Sequence, residues 1–114
     1  MVRCENNSCP GYEQDFLKRL AEAIETRSAN EFKSAPWTGE RWLVATTGEL
    51  GELCNLVKKE WRDGGINPSD IEDETADVFI YLVAWANHRG MNLQEVITRK
   101  FNLTSDKRGY NTKL

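Results

Sequence analysis

Apolar residues recur at intervals of three and four along most of this chain, and its three prolines, Pro10, Pro36 and Pro68, all fall where that rhythm breaks. A helix interior excludes proline, which lacks the N–H and clashes with the preceding turn. The prolines and the Gly64-Gly65 pair therefore divide the chain into helical segments. The first is predicted over 12–29, with Phe16, Leu17, Leu20, Ala23 and Ile24 on its apolar face, and a loop follows to Trp37. Thr38 can cap a second helix over 38–62, which Gly64-Gly65 ends. Ser69-Asp70-Ile71-Glu72 has the form of a capping box and predicts a third helix to about residue 89, closed by Gly90. Asn92, with Glu95 behind it, caps a fourth that frays near Ser105. The stretch 78–86 is apolar enough for a buried strand, but it continues a capped helical pattern too long for one. The expected fold is all-α, a four-helix bundle.

A chain of 114 residues fits a single domain over 1–114, with 1–11 and 106–114 as loose tails. Its core is small, so oligomerisation to a homodimer or homotetramer is expected to bury more apolar surface. A net charge of −3 is a poor match for a nucleic-acid backbone. No apolar run approaches the roughly 20 residues of a membrane span, and residues 1–10 lack the apolar core of an export signal. The three cysteines, Cys4, Cys9 and Cys54, are an odd number and fit a cytoplasmic setting. Cys4 and Cys9 have the spacing of half a zinc site, but no second ligand pair follows.

Acids interrupt the faces that should pack. At about 100° per residue, Trp42, Ala45, Thr46, Glu49, Glu52, Leu53, Leu56 and Glu60 share a stripe on the second helix. Ile71, Glu74, Asp77, Val78, Tyr81, Trp85 and His88 share one on the third. Glu49/Glu52 and Glu74/Asp77 are each an i, i+3 pair whose side chains emerge together. The short joining loop makes the helices antiparallel neighbours, so the pairs can face each other. Carboxylates crowded in a partly dry cleft repel, and they stay ionised only beside a cation. Hard oxygen ligands suit Mg²⁺ or Mn²⁺. A Glu-x-x-Glu pair is also common as plain surface charge, and periodicity alone ends at a metal-binding helical bundle. A di-iron bundle needs Glu-x-x-His motifs, and His88, the only histidine, has Trp85 three positions before it. His88 suits the last turn of its helix, where the dipole favours a cation.

The segments TGELGELCN, 47–55, and DETADVFIYL, 73–82, resemble the MazG-like, all-α nucleoside triphosphate pyrophosphohydrolases. That pattern is Glu-Glu-x-x-Glu followed by Glu-x-x-Asp. Glu49 and Glu52 match the later acids of the first motif, and Glu74 and Asp77 match the second. Gly48 stands where the first acid belongs, as in the branch similar to dCTP pyrophosphatases and to phage and bacterial MazG-like proteins. The resemblance spans roughly 12–110 and includes KFNLTSDKRGY, 100–110. It implies a MazG-like four-helix bundle and Mg²⁺-dependent hydrolysis of a nucleoside triphosphate, with dNTPs preferred, to the monophosphate and pyrophosphate by water attack at the α-phosphorus. Glu49, Glu52, Glu74 and Asp77 are then metal ligands and catalytic acids.

The same resemblance, more than physics, assigns Lys59, Lys100, Asn102 and Lys107 to the phosphates. Lysines near helix ends are otherwise simply solvated and favoured by the dipole. Base recognition needs an aromatic platform; Trp37, Phe32, Trp42, Trp61 and Trp85 are candidates, and the resemblance, which implies base contacts in the loop before the second helix, favours Trp37 and then Phe32. Trp42 and Trp85 lie on the packing stripes and are expected in core or cleft wall. The rival reading is a non-catalytic helical partner-binding module of the same fold, which requires the acids to be surface charges.

Overall fold

The structure, a computed structural model, describes residues 14–30 and 39–114. The described residues form four helices and no strand: α1 (Gln14–Asn30), α2 (Gly39–Asp63), α3 (Pro68–His88) and α4 (Leu93–Arg108). The all-α expectation holds. The proposed Thr38 cap, the loop over 31–37 and Cys4/Cys9 lie outside the described residues.

The α2–α3 turn positions the acids. Gly64 and Gly65 take φ of 72° and 77°, the left-handed region that glycine adopts at little cost. The Gly64 N–H donates to the Glu60 carbonyl at 2.9 Å, closing α2. The start of α3 corrects the expected capping box. Asn67, not Ser69, is the cap, and its side chain accepts from the Ser69 N–H at 3.0 Å. Pro68 causes the shift, because a proline without an N–H fits the first helical position and its ring disfavours a helical residue before it. Ser69 is already inside the helix, and its hydroxyl also bonds Asn67 Oδ1.

Two other helix ends follow from side-chain capping and glycine. Asn92 caps α4 as expected, accepting from the Glu95 N–H at 3.2 Å. The helix does not fray at Ser105 but continues to Arg108. Gly109 turns at φ 70°, and the Tyr110 N–H donates to the Ser105 carbonyl at 2.8 Å. Beyond it the chain returns to α4. The Leu114 N–H donates to Asn102 Oδ1 at 2.8 Å, the Asn102 amide donates to the Leu114 carbonyl at 3.2 Å, and Lys113 pairs with Asp106.

The core is thin. Ile24 of α1 and Val83 and Ala84 of α3 are buried together, flanked by Leu17, Leu20, Ala21, Trp42, Ile80 and Leu93. Asn87 ties α3 to α1 through its amide and the Ala21 carbonyl, 3.3 Å apart. The most extensive packing is of α2 on α3, while α4 packs chiefly on α1. The two stripes projected from the sequence are the α2–α3 contact faces: Ala45, Leu53, Leu56, Ile71, Val78 and Trp85 are all partly buried, and Thr46 is buried. Thr46 satisfies its hydroxyl within the helix, donating to the Trp42 carbonyl at 2.8 Å. At the open end of the hairpin Gly39 is buried against the His88 ring, where an added Cβ would lie 2.5 Å from Cδ2.

Candidate metal centre

Antiparallel packing sets Glu49 of α2 opposite Glu74 and Asp77 of α3. One carboxylate oxygen from each lies within 4.8 Å of the others, a spacing that allows all three to hold one metal ion. All three side chains are partly buried. Glu52, one turn beyond Glu49, is exposed and outside this group, although its charge still acts on Glu49. Three of the four acids proposed from the sequence are thus brought together, and the fourth stands at their edge.

The group is electrostatically incomplete. Glu74 Oε2 is buried with no hydrogen-bond partner. Such an orphaned acceptor is costly unless something cationic or protic meets it. Burial first, then a hydrogen bond with Glu74, then the charges of Glu52, Glu74 and Asp77 push Glu49 from its ordinary 4.5 up to about 7. A hydrogen bond between two carboxyl groups requires a proton on one of them, so the cluster retains a proton toward neutral pH. Every influence resolved on Glu49 opposes its charge. A divalent cation answers each of these demands, since it supplies the missing partner of Oε2 and displaces the shared proton. All-oxygen donors of this kind are those Mg²⁺ and Mn²⁺ take.

Tyr81 belongs to this surrounding, although the sequence marked it only as a packing position. Burial, then the charges of Glu49, Asp77, Glu52 and Glu74, raise its phenol pKa. It therefore stays a neutral hydroxyl beside the acids. Its ring meets Trp42 edge-on, with centroids 5.7 Å apart at 65°, and Trp42 also packs against the core. Tyr81 lies one turn beyond Asp77 on the same stripe, and that spacing was the signal available for it.

Lys59 is exposed on α2, and Lys100 and Lys107 are exposed on α4. Asn102 is partly buried and occupied by the Leu114 backbone. Phe32 and Trp37 lie outside the described residues. His88 is exposed and packs over Gly39.

No helix among the described residues is long and apolar enough to cross a membrane. No curated protein and no solved structure matches the chain. Residues 38–107, more than half of the sequence, match the model of the MazG nucleotide pyrophosphohydrolase domain. That span contains α2, α3 and the whole acid cluster, and the chain belongs to the MazG nucleotide pyrophosphohydrolase family.

Proposed function

We propose that this protein hydrolyses a nucleoside triphosphate, preferably a deoxynucleotide, to the monophosphate and pyrophosphate with Mg²⁺ held by Glu49, Glu74 and Asp77. The observation that carries the reading is the buried, unpartnered Glu74 Oε2 inside a three-carboxylate group. Surface charges of a binding module have no reason to bury an orphaned oxygen, so this feature favours the enzyme. When bound, the cation neutralises the triphosphate and supplies an acidified water as nucleophile. The new bond joins the water oxygen to the α-phosphorus, the bond from that phosphorus to the bridging oxygen breaks, and pyrophosphate leaves.

The chain's own groups do the rest. Glu49, Glu74 and Asp77 fix the cation, and exposed Glu52 adds a fourth carboxylate at the open edge. One of these acids or a neighbouring one would accept the proton of the attacking water, with Glu49 the preferred candidate. The Tyr81 hydroxyl, kept neutral by its acidic neighbours, orients a carboxylate or a phosphate oxygen. Lys59, Lys100, Asn102 and Lys107 remain the proposed phosphate contacts, and Trp37 and Phe32 the proposed base platform. Incubation with Mg²⁺ and a panel of NTPs and dNTPs tests the reading. Pyrophosphate release from at least one nucleotide is expected. Release of orthophosphate alone, or of nothing from any nucleotide, contradicts it.

A further inference from the structure

The segment after α4 folds back on its own helix. Gly109, at φ 70°, reverses the chain, and two contacts hold the return. The side-chain amide of Asn102 bonds the Leu114 backbone twice: the Leu114 N–H donates to Oδ1 at 2.8 Å, and Nδ2 donates to the Leu114 carbonyl at 3.2 Å. One turn on, Asp106 pairs with Lys113. Asn102 and Asp106 are four residues apart and share a side of α4, so both contacts grip the same short segment. An amide side chain has a donor end and an acceptor end, and here both are turned to a single residue. Nothing apolar seals the return. Residues 110–114 are all exposed, and Tyr110 and Leu114 keep 55% and 66% of their accessible surface. Hydrogen bonds and ion pairs in contact with water add little net stability. The segment is therefore closed by polar bonds alone, and another polar ligand can replace them.

We propose that residues 110–114 are a latch that competes with the nucleotide for Asn102, closed while the site is empty and released when a triphosphate binds. The inference rests on the assignment of Asn102 to the phosphates made above. In the closed form Nδ2 is directed at the Leu114 carbonyl and is not offered to a phosphate oxygen. A triphosphate supplies charged acceptors, which take a stronger hydrogen bond than a carbonyl does. The same anion also draws Lys113 away from Asp106. Losing either contact weakens the other, because both hold one five-residue segment. The latch thus lowers the apparent affinity for substrate by the fraction of molecules that are open, and closure in about nine molecules of ten raises KM about tenfold.

The test compares steady-state kinetics of the full chain with Leu114→Pro, which removes the N–H that Asn102 accepts, and with Lys113→Glu, which sets two acids together. Both positions are exposed and outside the metal centre. Each variant should lower KM for the nucleotide about three- to tenfold with kcat unchanged, and neither should alter KM when Asn102→Ala is also present. A purely structural clamp predicts instead a lower melting temperature with KM unchanged or raised, and that result overturns the latch. A fall in KM that persists in the Asn102→Ala background overturns it as well. A second measurement needs no turnover. The Leu114 amide, followed by nitrogen-15 NMR, should exchange its hydrogen slowly in the ligand-free protein, and inorganic triphosphate with Mg²⁺ should shift its signal and speed that exchange. A Leu114 amide that triphosphate leaves unchanged overturns the latch even where nucleotides are hydrolysed. Displacement by triphosphate with no nucleotide hydrolysed supports the latch and contradicts the proposed reaction.

Discussion

Glu74 poses the sharpest physical problem in the molecule, because one of its oxygens is buried without a partner beside two other acids. Replacing it by glutamine keeps the shape and removes the charge. Glu74→Gln should lower turnover on the order of 100-fold or more through lost metal affinity and positioning. It should leave the metal-free melting temperature unchanged or raised, since a like-charge repulsion goes with it. Near-normal turnover would place the metal elsewhere. Glu49 gives a pH prediction whose sign is fixed. Its carboxyl holds its proton more tightly in the fold, at about 7, than in the unfolded chain, at 4.5. The native state binds more protons across that window, so metal-free stability falls as pH rises from about 4.5 to 7 and then levels. Saturating Mg²⁺ should remove most of that fall, and Glu49→Gln should flatten the metal-free profile. A metal-free melting temperature that rises steadily over this range contradicts the assignment.

At the scale of the elements, caps and close approaches separate what the sequence disclosed from what it concealed. Asn92 was legible as a cap because no competing signal stood near it. At α3 the Ser69-x-x-Glu72 spacing matched a capping box, but Pro68 had already fixed the first helical position and handed the cap to Asn67. Asn67→Ala should therefore cost about 1 kcal/mol, measured by chemical denaturation, and Ser69→Ala distinctly less. Equal losses, or a larger one at Ser69, would restore the original cap. The α2 glycines make a second contrast. Gly48 has open space where a Cβ would stand, so Gly48→Ala should stabilise α2 by about 0.5–1 kcal/mol. A Cβ on Gly39 meets the His88 ring, so Gly39→Ala should destabilise by about 1–2 kcal/mol, as overpacking does. His88→Ala in the same chain should relieve it. That approach joins two residues far apart in sequence, and no local pattern announces it.

At the scale of the whole molecule, the acid cluster was legible because both pairs interrupted packing stripes on helices joined by a short turn. The placement of Glu52 at the edge was not, since i, i+3 spacing puts two side chains on one side of a helix without saying how far each is covered. No large side chain is fully buried among the described residues. A subunit with so few buried side chains is short of core.

The reaction assigned to the Glu49/Glu74/Asp77 centre is tested most directly by turnover of a nucleoside triphosphate in ¹⁸O-labelled water with Mg²⁺, followed by mass spectrometry of both products. The label is expected in the nucleoside monophosphate, with unlabelled pyrophosphate, and the signal should vanish with Glu74→Gln. Label in the pyrophosphate would place the attack on a different phosphorus, and labelled monophosphate from Glu74→Gln at the wild-type rate would remove the centre from the chemistry.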